Sequence, residues 1–200
     1  MQRCALAHRF IRDIYAVRQG APYINLGIFL PIQLVNIATI IRMPNYHRSH
    51  LAGGTYFFTV NLADRRNTFL VDYIDALKDA FQITWHSRPF KQHAIVVLPD
   101  HLHCIWQLPE GDSDYRTRWS HIKSTFSKSL PANEHLSASR YVRRERGVWQ
   151  RRFWEHLIRD EADYLAHIKY IQNNPVKHGY VANACDWPYL NIRNFSSPQM

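Results

Sequence analysis

The sequence predicts an α+β fold, an antiparallel sheet with helices packed on it, of ferredoxin-like type. Three observations carry that expectation. Short segments rich in aromatic and β-branched residues stand at 55–62, 91–98 and 101–108. Segments with apolar residues three and four apart separate or follow them. Turn-forming pairs, Gly53-Gly54 and Pro99-Asp100, sit at the junctions. The resulting order, β-α-β-β-α-β-α, suits a split βαβ sandwich. A chain of 200 residues is long enough for one domain with a real core, and a 46% hydrophobic composition excludes a disordered one.

The elements follow in order. TYFFTVNL (55–62) reads as the first strand. Residues 71–86 read as a helix, with Ile74, Leu77, Ala80 and Phe81 on one stripe, and Pro89 breaks the chain after it. KQHAIVVL (91–98) and HLHCIWQL (101–108) form a hairpin across Pro99-Asp100. Residues 115–130 read as a helix with Trp119, Ile122 and Phe126 on one side. The polar stretch 131–147 reads as a mobile basic loop, and 153–159 as a short fourth strand. Asp160 caps a helix over 161–174, with Glu161 and Asp163 in its first turn. Pro175 is expected to close that helix, because the residue before a proline is pushed out of the α region. From there to Met200 the chain reads as irregular.

Charge and cysteines narrow the class. A formal charge of +9 points to a polyanionic partner, against the plainer reading of an ordinary basic protein. The cysteines Cys4, Cys104 and Cys185 are odd in number, widely spaced and without a CxxC pair. That pattern argues against a disulfide framework and a cysteine-rich zinc site, and fits a reducing cytoplasm. Residues 24–41 carry no charge, but Asn25, Gly27, Pro31, Gln33 and Asn36 interrupt them, so they make a poor membrane span. At Met43 the character changes. Met43 is expected to be the natural start, with residues 1–42 a translated upstream stretch or a loosely packed extension in preference to an anchor, 43–190 the working domain and 191–200 a tail.

Three constellations carry chemistry. In a strand alternate side chains share a face, so His101 and His103 project the same way with Cα atoms about 6.5–7 Å apart. They can converge on one metal ion, or be two unrelated histidines of which one is a satisfied core residue. Tyr170 and Asn174 lie four apart on the last helix and share a face. Two imidazoles and one amide oxygen suit Mg²⁺ or Mn²⁺ with open positions for phosphate, and the phenol is then a nucleophile. The alternatives are Tyr170 as a core aromatic and Tyr164 as the nucleophile, although Tyr164 lacks a ligand-type residue one turn on. Lastly, Arg140, Arg143, Arg144, Arg146, Arg151 and Arg152 interleave with Trp149, Phe153 and Trp154. That mixture tracks phosphates and stacks bases in single-strand binders, or else forms a solvated loop beside core aromatics. Lys123 and Lys128, and Lys177 and His178 after Pro175, extend the basic patch.

Four blocks in this order, GGTYFFTVNL, VVLPDHLHCIWQLPEGDSDYRTRW, WQRRFWEHLIRDEADY and HIKYIQNNPVKHGYV, resemble the REP-associated tyrosine transposases of the HUH single-strand endonuclease superfamily. The likeness runs from about Met43 to about Pro188. Residues 1–42 have no counterpart in it, and the loop around Arg140 is longer than usual. The resemblance implies that His101 and His103 are the HUH pair, Tyr170 the catalytic tyrosine and Asn174 the third metal ligand. It implies cutting of single-stranded DNA at repetitive extragenic palindromes (REP hairpins) through a 5′-phosphotyrosine link that leaves a 3′-OH. It also implies a monomer in the cytoplasm, associated with the nucleoid and with no membrane partner. Gly53, Gly54 and the basic patch would grip the hairpin and its flanking strand. Two other readings keep part of this: a hairpin-binding protein without chemistry, and a metal-dependent hydrolase acting through water with Tyr170 structural.

Overall fold

The structure, a computed structural model, describes residues 49–132 and 136–192. The expectations for residues 1–42 and for the start at Met43 lie outside the described residues. Five strands, β1 (Thr55–Asn61), β2 (Lys91–Val97), β3 (His101–Gln107), β4 (Trp154–Leu157) and β5 (Leu190–Ile192), form one sheet in the order β4-β1-β3-β2-β5. Every pairing is antiparallel. The helices are α1 (Phe69–Asp72), α2 (Ile74–Ser87), α3 (Tyr115–Ser129), α4 (Ala138–Val142) and α5 (Glu161–Lys177), with a 3₁₀ turn at Ala184–Asp186. The expected α+β class holds.

The period-two alternation of the strands builds two unequal cores. Tyr56, Phe58, Val60, Leu102, Cys104 and Trp106 face α2 and α3 in a large cluster. Trp106 stacks on Trp119 at 4.3 Å between ring centroids, and Phe81 and Phe90 close around the pair. The opposite face packs Phe57, Ala94, Val96, Leu98 and Ile105 against Ile168 and Ile171 of α5. All of β3 except Gln107 is buried. Two long helices therefore cover one face of the sheet and a single helix the other.

Four expectations are corrected. The segment 71–86 holds two helices, because Tyr73 departs from helical geometry between them. The basic loop contains the short helix α4. Helix α5 runs through Pro175 to Lys177. The proline removes the N–H that would bond the Ile171 carbonyl, and burial of Pro175 together with the bonds made just beyond it carries the helix on. The amide of His178 bonds the Asn174 carbonyl at 3.1 Å, that of Tyr180 bonds Pro175 at 3.0 Å, and Gly179 (φ +73°) ends the helix. Residues 190–192, read as irregular, form the edge strand β5 on β2. Trp187 supports that strand by donating from Nε1 to the Val97 carbonyl at 2.9 Å. Among the cysteines, Cys104 is a free thiol that burial pushes well above its usual pKa. Cys4 lies outside the described residues. Among the described residues no helix is long and apolar enough to cross a membrane.

Gly53 and Gly54 have structural reasons to be glycine. Gly53 has φ +68°, where side chains are strained. A Cβ on Gly54 would lie 2.9 Å from the Leu51 carbonyl oxygen and 2.9 Å from the Tyr56 ring. Gly54→Ala is therefore expected to destabilise the fold by about 1–3 kcal/mol through overpacking. Chemical denaturation of the variant reads this directly.

Candidate active site

Strand β3 and helix α5 bring together the residues that the sequence singles out. Through alternation, His101 and His103 project from β3 on the side of α5, while Leu102 and Cys104 enter the large core. Both imidazoles are buried, and their ring centroids lie 5.0 Å apart. Tyr170 stands edge-on to His103 at 5.0 Å between centroids. It is 41% exposed, so a macromolecule can reach its ring. Asn174, one turn further along α5, is buried. Tyr164, the rival nucleophile, lies elsewhere. It partners His93 at 3.1 Å, and burial pushes its phenol up to about 12.

Each histidine is oriented by a polar neighbour. His103 Nδ1 lies 2.8 Å from the Thr59 hydroxyl, the cross-strand partner that β1–β3 pairing sets opposite it. His101 Nδ1 lies 2.7 Å from Asp100 Oδ1. In the tautomer whose Nδ1–H donates to these partners, each ring presents an Nε2 lone pair. Burial opposes ionisation of Asp100, but hydrogen bonds from His101 and Arg65 hold its carboxyl below the usual range. Arg65 also donates to Asn61 Oδ1 at 2.9 Å. The sequence signal for Asp100 was its place directly before the H-x-H. Thr59 had none, because its role exists only once the register is known.

The electrostatics keep both imidazoles neutral at neutral pH. Burial pushes His103 down to about 3, with further lowering from His101, His178, Arg65 and Lys177. His101 is also lowered, chiefly by burial, although Asp100 works the other way. The decisive feature is unmet hydrogen-bonding capacity. His103 Nε2 and both Asn174 amide atoms are buried and have no hydrogen-bond partner. Buried polar atoms of this kind cost free energy unless something binds them. Imidazole nitrogens plus an amide oxygen are a donor set that a divalent ion fits.

The basic patch divides into two kinds of residue. Lys177 places Nζ 5.4 Å from the Tyr170 ring centroid, and the His178 ring lies 5.1 Å from His101, so both border the site. Trp154 is 46% exposed and stands edge-on to Phe57, the ring that also meets Tyr170. Lys128, Arg143, Arg144 and Arg152 are exposed. Arg151 is tied to Glu145 and Ser139. Lys123, by contrast, is committed inward: it donates to the Gln150 carbonyl at 2.9 Å and lies over the Phe153 ring at 5.4 Å. Arg146 likewise caps carbonyls of Ser127 and Leu130, and Trp149 is core. Gly54 is buried beneath its turn.

Sequence reading missed a further group. His156 of β4 and Asp163 and His167 of α5 have ligand-type atoms within 4.8 Å of one another. They stand beside Phe57, whose ring lies 4.6 Å from His167 and 5.9 Å from Tyr170.

Known proteins share this chain's sequence and shape. The REP-associated tyrosine transposase of Escherichia coli K12 is 44% identical over 147 residues, covering 74% of this chain and 81% of its own length. A Haemophilus influenzae protein assigned to the same family is 48% identical over 151 residues, covering 75% and 86%. A solved REP-associated tyrosine transposase bound to a REP hairpin superposes with a TM-score of 0.63 at 44% identity, covering 74% of this chain and 82% of that one. No protein-family model matches the chain.

The neutral state of His103 has a consequence for pH. An unfolded histidine takes a proton near pH 6.5, and the folded one resists it until about pH 3. Over that interval the unfolded chain binds the extra proton, so stability falls as pH falls. In metal-free protein, His103→Gln is expected to lose less melting temperature than wild type between pH 6.5 and about 3. A pH series of thermal melts measures the difference.

Proposed function

Because the chain belongs to the REP-associated tyrosine transposases, we propose that it cuts and rejoins single-stranded DNA at palindromic hairpins through a covalent link to Tyr170. The observation that carries this is the meeting of a reachable phenol with buried, unpartnered donors. Tyr170 stands edge-on to His103, and His103 Nε2 and the Asn174 amide lie unpaired beneath the same helix. A relative solved on a REP hairpin supports that class of partner.

His101, His103 and Asn174 would hold a divalent ion, Mg²⁺ or Mn²⁺. Such an ion neutralises the non-bridging oxygens of a phosphodiester and makes its phosphorus a better electrophile. The protein's own residues do the rest. Thr59 and Asp100 fix the two rings so that Nε2, and not Nδ1, faces the ligand position. The Tyr170 hydroxyl attacks phosphorus, the bond to the 3′ oxygen breaks, and a 5′-phosphotyrosine and a free 3′-OH result. Attack by a 3′-OH on the phosphotyrosine reverses the step and joins strands. Because each step exchanges one phosphodiester for another, no external energy source is required.

Binding is assigned to Lys128, Arg143, Arg144, Arg151, Arg152, Lys177 and His178 as phosphate contacts and to Trp154 as a stacking surface. Gly53 and Gly54 contribute through the backbone of their turn, and Lys123 through its hold on the segment before β4. We assign the working form as a monomer in the cytoplasm, at the nucleoid where its substrate lies.

Tyr170→Phe is expected to abolish cleavage and the covalent adduct while leaving hairpin affinity within a few-fold. A denaturing gel with labelled single-stranded palindromes scores the adduct, and a cutting Phe variant refutes the assignment. Thr59→Val removes the hydroxyl that orients His103 and is expected to weaken Mn²⁺ binding about 10–100-fold, measured by calorimetric titration. Arg152→Ala is expected to weaken hairpin binding and lower the slope of log affinity against log salt by about 0.7–0.9. A slope equal to that of wild type removes Arg152 from the interface.

A further inference from the structure

We propose that His156, Asp163 and His167 form a second metal site, selective for zinc-like ions and separate from the ligands beneath Tyr170. It goes beyond the strand-transfer reading and does not depend on it.

The three ligands come from two elements. His156 lies on β4, while Asp163 and His167 sit one turn apart on the first half of α5, on a shared helix face. Spacing of four along a helix is the arrangement by which paired side chains chelate one ion. His156 Nε2 lies 2.8 Å from Asp163 Oδ2, and His167 Nδ1 lies 3.1 Å from Asp163 Oδ1. Bonds of about 2.0–2.1 Å at tetrahedral angles put neighbouring ligand atoms about 3.3 Å apart. These two nitrogen–oxygen separations are thus close to those of a coordination sphere, and a turn of one imidazole about its Cβ–Cγ bond would bring both nitrogens onto one ion.

Its surroundings suit an ion as well. The carboxylate is well covered, at 11% side-chain exposure, while His156 and His167 keep 26% and 19% open to solvent. Burial works against the charge on Asp163, yet the hydrogen bond from His156 and the amide of Arg159 hold its pKa down to about 2. The ligand is therefore ionised beforehand. The imidazoles lie nearly parallel, 4.7 Å apart, with Trp154 stacked on the outer face of His156. The Asp163 carbonyl oxygen, 2.8 Å from His167 Nδ1, adds an oxygen at the rim. Protons now bridge the nitrogens and oxygens, and an ion would take their place.

The donor set decides which ion. Two imidazoles and one carboxylate favour Zn²⁺, Ni²⁺ or Co²⁺ over Mg²⁺, which prefers oxygen. An ion here would pin β4 to the helix that carries Tyr170. His167 and Tyr170 are three residues apart on α5, and both rings meet Phe57.

The test counts zinc ions on the full chain by native mass spectrometry after equilibration with Zn²⁺ and desalting. His101→Ala/His103→Ala, which removes the pair beneath Tyr170, is expected to retain one zinc per chain. Adding His156→Gln and His167→Gln is expected to remove it, with circular dichroism confirming that both proteins are folded. Glutamine keeps a donor toward Asp163, so loss of zinc reports coordination and not collapse. No zinc on the first variant overturns the proposal, as does zinc that persists on the second. If the second variant is unfolded, His156→Gln alone in the first background decides by the same count.

Discussion

The structure depends on one constraint, the strict alternation of side chains along a strand that is buried on both faces. β3 sends Leu102, Cys104 and Trp106 into the large aromatic core and His101, His103 and Ile105 toward α5. Neither set can move without the other, because a slip of one residue would exchange the faces. The hydrophobic effect acting on three side chains thus fixes where two imidazoles point. Apolar burial of this size greatly exceeds what any single contact at the site contributes. The site is held in place by a core that takes no part in its chemistry.

Much of this was legible. The alternation of HLHCIWQL, flanked by Pro99-Asp100, gave strand, turn and shared histidine face together. The i,i+4 spacing put Tyr170 and Asn174 on one side of a helix, and Asp160 caps that helix through the Asp163 amide as its residue type suggests. What failed was local inference applied to features settled at a distance. Pro175 usually ends a helix, but burial of its ring and the bonds made by His178 and Tyr180 carry α5 one turn on. β5 has three residues and no readable period. It exists because β2 offers a free edge and Trp187 anchors the approach. Charge was misleading in the same way. Lys123 and Arg146 look like phosphate contacts in the chain but satisfy carbonyls in the fold.

Residues that orient the site were the least visible of all. Thr59 is one polar residue in a strand of aromatics and becomes meaningful only when the register sets it against His103. Phe57 appears as another core position. It is in fact the hub where His103, Trp154, His167 and Tyr170 meet. A ring shared by so many neighbours couples the helix that carries Tyr170 to the edge strand β4. Disturbance at either end would then be felt at the phenol through packing alone.

On the proposed strand-transfer reading, the unpaired atoms of His103 and Asn174 would set function against durability. Each buried polar atom without a partner costs about 1–3 kcal/mol, so the ion-free fold carries a handicap that an apolar pocket of equal shape would not. Drift toward leucine or methionine at these positions would harden the scaffold while silencing it. Copies that no longer cut DNA would feel no selection against that exchange. Retired members of such a lineage should therefore be recognisable as the sturdier proteins, with greasy side chains where the working ones keep nitrogen and oxygen.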